Sequence, residues 1–151
     1  VRYLILNTGD ADDTAVHVRG LGGDPVLWRG LLPDGDPPRW ARPTLANPAK
    51  RWAIIRSYQA LLDSGKADDA IVMQEDIRFD EPPTVNRHHL TVWPDRWRGA
   101  RHICPHAFYL PAALRPQLRN LWADERRPVC ESWWPLTRHA TIHSGKVTQW
   151  R

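Results

Sequence analysis

The stretch Ala70-Ile71-Val72-Met73-Gln74-Glu75-Asp76-Ile77 decides how the chain is read. Four consecutive apolar residues, Ala70 to Met73, form a short buried strand that delivers Gln74, Glu75 and Asp76 at its carboxyl end. Two adjacent acids at the end of a β-branched strand hold carboxylates where a hard divalent cation binds and bridges the phosphate oxygens of a nucleotide. Taken alone, the same pair also suits a solvated loop at a strand end.

Upstream, Arg2 to Leu6 is a second short apolar run, ending in Asn7-Thr8-Gly9-Asp10. A strand that stops at small polar residues suits α/β proteins, whose ligands sit beyond the carboxyl ends of strands. The spacing predicts a helix from Asp12 to Leu21, with Ala15, Val18 and Leu21 inward, closed by Gly22-Gly23, and then a short strand at Val26-Leu27-Trp28. Leu31 to Pro43 carries too many prolines for regular structure. Asn47 is a good helix cap and Pro48 a good first residue, and Trp52, Ile55, Tyr58 and Leu62 recur at helical spacing until Gly65. Beyond the acidic pair, Asp80 to Arg98 reads as loop with one short strand near Leu90 to Trp93. His102 to Cys104 and Ala107 to Leu110 read as strands, Pro111 to Trp122 as a helix with Pro116 disturbing its start, and Leu136 to Ile142 as a last strand before a polar end.

Composition narrows the class. A chain of 151 residues has room for one domain with a real core, expected here over 1–151, and its 42% hydrophobic and 25% charged content is ordinary globular usage. No apolar run approaches the ~20 residues of a bilayer span, and the N-terminal stretch lacks the pattern of a signal peptide, so a cytoplasmic protein is expected. The two cysteines, Cys104 and Cys130, stand in no CxxC spacing and are read as reduced thiols. The net charge of +4 favours anionic partners, although a basic side made of Arg with only Lys50, Lys66 and Lys146 also reflects base composition in the genome. Nine Trp against three Tyr and two Phe supply indole faces on which sugars and nucleobases stack. Trp93, Trp97, Trp133 and Trp134 are the candidates for that role, whereas Trp52 and Trp122, on helices, suit the core.

The order of opening strand, polar loop, helix beginning Asn-Pro, and hydrophobics closing on an acidic pair resembles the nucleotide-sugar-dependent glycosyltransferases of the GT-A fold. The likeness is to small bacterial and phage members and to the lipopolysaccharide type. A second anchor is Thr141-Ile142-His143-Ser144-Gly145-Lys146-Val147-Thr148, similar to a run that closes many such domains, and a third is Pro105 to Pro111 ahead of a helix. The resemblance implies an α/β fold, a minimal three-layer Rossmann-like sheet with flanking helices. It implies Mn²⁺ or Mg²⁺ held by Asp76 with Glu75 and His143, and a nucleotide-diphosphate sugar as donor. Asn7, Thr8, Trp28, Arg51 and Gln74 would lie near the nucleotide, and Lys146 near its phosphates. The base that deprotonates the acceptor hydroxyl would be Asp124 by family spacing or Glu131 by its apolar surroundings, with Glu125 also at hand. The acceptor would be a glycan, a small molecule or a modified DNA base, and the short chain leaves room for a homo-oligomer. Glu75 stands where the family usually has Asp.

The histidines offer a competing class. His88, His89, His102 and His106, with Cys104 among them, would make a zinc site in a nucleic-acid-binding protein or nuclease. Pro105 separates His102 from His106, so that pair does not share a helical face.

Overall fold

The computed structural model describes residues 1–7, 11–29, 56, 58–94, 107–123, 140–143 and 146–149. The expected Asn-Pro helix start, the proline-rich loop, the His102–Cys104 strand and the segment 124–139 lie outside the described residues.

Strand β1 (Arg2–Asn7) leads into helix α1 (Asp12–Gly20) and strand β2 (Asp24–Arg29). Helical residues 58–64 (α2) precede β3 (Ala70–Gln74), β4 (Ile77–Phe79), β5 (Thr91–Trp93) and β6 (Ala107–Leu110). A single 3₁₀ turn, Ala112–Leu114, runs into α3 (Arg115–Leu121), and β7 (Thr141–Ile142) and β8 (Val147–Gln149) follow. Among the described residues six strands make one sheet in the order β2-β1-β3-β6-β5-β7, and β4 and β8 form a separate antiparallel ribbon.

Pairing fixes the direction of every strand. β1 runs parallel to β2 and to β3, β6 is antiparallel to both β3 and β5, and β7 is parallel to β5. Hence β1, β2, β3, β5 and β7 all point one way, and their carboxyl ends share one edge of the sheet.

Side-chain alternation along the strands splits the core into two layers. Leu4, Val72, Val92, Phe108 and Leu110 face Tyr58, Leu61 and Leu62 of α2, with Leu118 and Trp122 of the α3 segment. Tyr3, Ile5, Ile71, Met73, Trp93, Ala107 and Tyr109 face Ala15 and Val18 of α1 together with Ile77, Phe79 and Val147 of the ribbon. The result is a mixed α/β sheet flanked by helices, the Rossmann-like class expected from the sequence. β3 is the central element, and Ala70 to Met73 are 0% exposed, which only layers on both faces provide. Each of its larger side chains contributes about 1.5–3 kcal/mol by leaving water.

Local chemistry sets the boundaries. Gly65 ends α2 in the left-handed region (φ +71), which a side chain would strain. Pro116 falls in the first turn of α3, where a missing N–H removes no helical bond, and the chain after Pro111 first makes a 3₁₀ turn and becomes α-helical only at Arg115. Arg119 Nε donates to Asp63 Oδ1 at 2.7 Å and ties α3 to the end of α2. β4 and β8 were not expected from the sequence. Each is three residues long, β4 falls between the acidic pair and the stretch read as loop from Asp80, and β8 falls in the polar end.

Gly23 stands against the buried Tyr3 ring, so closely that a Cβ there would enter the ring and meet Val18. Tyr3 has no room to yield, being 4% exposed and packed edge-on to Phe79 at 6.1 Å. Gly23→Ala is therefore expected to destabilise the fold by about 1–3 kcal/mol. Equilibrium denaturation checks this, and an unchanged midpoint would show that the β1–α1–β2 unit is looser than described.

Candidate functional site

The chain leaves β1, passes through α1 to β2 on one side of it, and returns to β3 on its other side. The carboxyl ends of β1 and β3 thus flank the point where strand order reverses, the position at which open α/β sheets bind ligands. Asn7 is the last residue of β1, and Gln74 the last of β3. Glu75 and Asp76 form the turn that follows, half-buried like Gln74. Trp93 and His143 reach the same edge from β5 and just beyond β7.

Helix α1 anchors the turn and the ribbon. The hydroxyl of Thr14, fully buried, donates to the backbone carbonyl of Glu75. One turn on, His17 Nε2 accepts the backbone N–H of Phe79 at 3.1 Å. Burial lowers the His17 pKa, and the Arg78 guanidinium lowers it further against a weaker opposing pull from Asp80. The neutral ring that accepting this bond requires is therefore the favoured form.

A hollow of ≈ 270 Å³ opens where the ribbon crosses beside β5 and β7. Phe79, Pro82 and Pro83 give it an apolar wall, and Trp93, His143, Glu81, Lys146 and Thr84 complete the lining. The imidazole of His143 stacks on the indole of Trp93, 5.8 Å between ring centres and 18° from parallel. Trp93 is in turn braced edge-on by Phe79 at 5.3 Å. Lys146 Nζ and Glu81 Oε1 pair at 2.8 Å. Lys146 holds the Glu81 carboxyl below the usual carboxylate range, and Glu81 raises the ammonium in return. Both are exposed, so solvent screens the pair and its weight in stability is small.

The expected site residues thus fall into groups. Asn7, Gln74, Glu75 and Asp76 gather at the switch point. His143 and Lys146 meet around the hollow, three strand positions from β3, roughly 14 Å at the usual spacing. The expected metal set of Glu75, Asp76 and His143 is not assembled: among the described residues no group of three or more His, Cys, Asp or Glu side chains is placed to hold a metal ion. The carboxylate pair alone still fits a hard cation, which takes one or two protein carboxylates and completes its shell with phosphate oxygens and water. Trp28 turns to the α2 side, packs on that core layer and lies under the Lys66 ammonium at 5.3 Å. His88 and His89 occupy an exposed turn closed by Asn86. Thr8, Arg51, His102, His106, Cys104, Cys130, Trp97, Asp124, Glu125, Glu131, Trp133 and Trp134 lie outside the described residues, as does the side chain of Asn7. Thr14, His17 and Glu81 carry no local sequence signal for their roles: Thr14 meets the Glu75 carbonyl across sixty-one residues, and His17 and Glu81 act at or beside the β4–β8 ribbon.

No family model matches the chain, and no curated protein sequence does. Among solved structures it is similar to a glycosyltransferase involved in the glycosylation of the major capsid of PBCV-1, with a TM-score of 0.54 and 7% identity over 95% of this chain and 81% of that one. At that identity the likeness establishes the fold. No helix among the described residues is long and apolar enough to cross a membrane.

The His17 clamp has a signed pH dependence. Its folded pKa lies below the ordinary 6.5, so the unfolded chain binds more protons between the two values and stability rises with pH there. The contribution is fully present above 6.5 and disappears as pH falls through the depressed folded value. Denaturation midpoints measured between about pH 7 and about pH 5 should fall more steeply for the wild type than for His17→Gln, whose amide oxygen accepts the same bond without titrating. Equal slopes would remove the clamp from the account.

Proposed function

We propose that the protein is a metal-dependent glycosyltransferase that moves a sugar from a nucleotide-diphosphate donor to a hydroxyl acceptor. The observation that carries the reading is the half-buried turn Gln74-Glu75-Asp76 at the switch point between β1 and β3, in a fold shared with a glycosyltransferase. The order of sequence motifs, which resembles the GT-A enzymes, supports it independently.

In this reading Glu75 and Asp76 would hold Mn²⁺ or Mg²⁺, which when bound would supply positive charge to offset the negative charge of a leaving diphosphate. Asn7 and Gln74 border the nucleotide, with Thr8 and Arg51 as further contacts. The buried Thr14 hydroxyl, bound to the Glu75 carbonyl, fixes the turn so that its carboxylates need little reorganisation when the donor arrives. The bond between the anomeric carbon and the diphosphate breaks, a bond to the acceptor oxygen forms, and the hydroxyl proton passes to a carboxylate, Asp124 or Glu131. A glycan, a small molecule or a modified DNA base all present such a hydroxyl, and the chain's positive charge suits both the donor's phosphates and a DNA acceptor.

The test is a thermal-shift screen of nucleotide sugars with and without Mn²⁺. One donor is expected to raise Tm by several degrees only with the metal, since a hundredfold excess over Kd stabilises by about 2.7 kcal/mol. Asp76→Asn should abolish that shift and lower nucleotide-sugar turnover by at least about 10²-fold, with an unchanged far-ultraviolet circular dichroism spectrum. Turnover equal to wild type would sink the metal assignment.

A further inference from the structure

The hollow between the ribbon and the ends of β5 and β7 has a composition that differs from a phosphate site. Among the described residues its lining carries two charged side chains, Glu81 and Lys146, and they neutralise each other at 2.8 Å. An anion entering there would meet the Glu81 carboxylate directly beside the Lys146 ammonium. Asp80, which accepts the Thr148 hydroxyl at 3.0 Å and acts on Lys146 from the neighbouring position, adds further negative charge. The same pair is well suited to a neutral polyol. Vicinal hydroxyls each donate one bond and accept others, so one can donate to the Glu81 carboxylate while its neighbour accepts from the Lys146 ammonium. Thr84 adds a hydroxyl, and Phe79, Pro82 and Pro83 offer apolar surface for the C–H face of a ring. The stacked His143 and Trp93 rings give a stiff aromatic side, held in place by Phe79. At ≈ 270 Å³ the hollow is somewhat smaller than the ~300–1,000 Å³ of pockets that take drug-sized ligands, a size that suits one sugar ring.

We infer that this hollow binds a single neutral sugar unit, with Glu81 and Lys146 as a hydroxyl-binding pair and His143 as part of its aromatic wall. The inference takes Lys146 and His143 from the donor's phosphates and metal, where the motif resemblance had put them. It rests on the transferase reading only in naming the bound unit as the acceptor. The hollow lies on the same sheet edge as the Glu75–Asp76 turn, and β5 is two strand positions from β3, roughly 10 Å. A donor at the switch point and an acceptor in the hollow would therefore be neighbours along that edge.

The experiment titrates the wild-type protein with neutral methyl glycosides of glucose, galactose, mannose and xylose, and separately with inorganic pyrophosphate, following the His143 ring and Lys146 side-chain signals by nuclear magnetic resonance. The expected result is a saturable shift of both signals with at least one glycoside and not with pyrophosphate. Affinity for that glycoside should fall by about tenfold in Glu81→Gln and in Lys146→Met, the loss of one charge-assisted hydrogen bond. Pyrophosphate shifting these signals while the glycosides leave them unmoved would overturn the inference, and so would silence with every probe. Hydrolysis of nucleotide sugars by the wild type reads the transferase proposal separately. Glycoside binding without hydrolysis would contradict that proposal and leave the hollow as a carbohydrate site.

Discussion

Everything in the molecule is arranged around a strand that has no face for water. Ala70 to Met73 are wholly buried, so β3 requires a layer on each side, and its alternating side chains feed two separate cores. α2 and α3 provide one cover. On the other side α1 packs against β1 and β2, and the β4–β8 ribbon completes the layer with Ile77, Phe79 and Val147. The same demand places the functional chemistry. Because β3 is covered on both faces, its polar carboxyl terminus emerges only at the sheet edge, next to the end of β1, where the chain reverses its order of strands.

The ribbon links structure to site. It begins immediately after the acidic turn, is held to α1 through Thr14 and His17, and carries Phe79 across to brace Trp93. One short element therefore defines both the setting of the carboxylates and the wall of the hollow near β5 and β7. The two regions differ in electrostatics as well as position. The turn concentrates two carboxylates, while in the hollow the Glu81 carboxylate is paired with the Lys146 ammonium. A cation with its phosphates suits the first, and an uncharged hydroxylated ring suits the second.

The sheet strands were largely legible because their signal is local. Tyr3 to Leu6 within the strand read over Arg2 to Leu6, Ala70 to Met73 and Ala107 to Leu110 are consecutive apolar runs bounded by polar or turn residues, and each of these readings is a strand with ends shifted by a residue at most. β4 and β8 were not legible, because Ile77-Arg78-Phe79 is too short to show a period and its partner lies some seventy residues away. The site was legible to the same extent. Gln74, Glu75 and Asp76 follow from the strand that presents them. Glu81 and His17 depend on a pairing, and Thr14 on a long-range contact with Glu75, that no local pattern announces, and the separation of His143 from the acidic turn follows from β6 and β5 standing between β3 and β7.

The central claim is that the edge between β1 and β3 takes a cation together with the donor. Paramagnetic broadening of backbone amide signals by substoichiometric Mn²⁺, recorded with the nucleotide sugar bound, tests it directly. The account predicts broadening centred on Gln74, Glu75 and Asp76 and extending to Asn7, with Asp69 and Ala112 at the opposite edge sharp. Broadening centred on His88 and His89, or spread evenly over the chain, would contradict it.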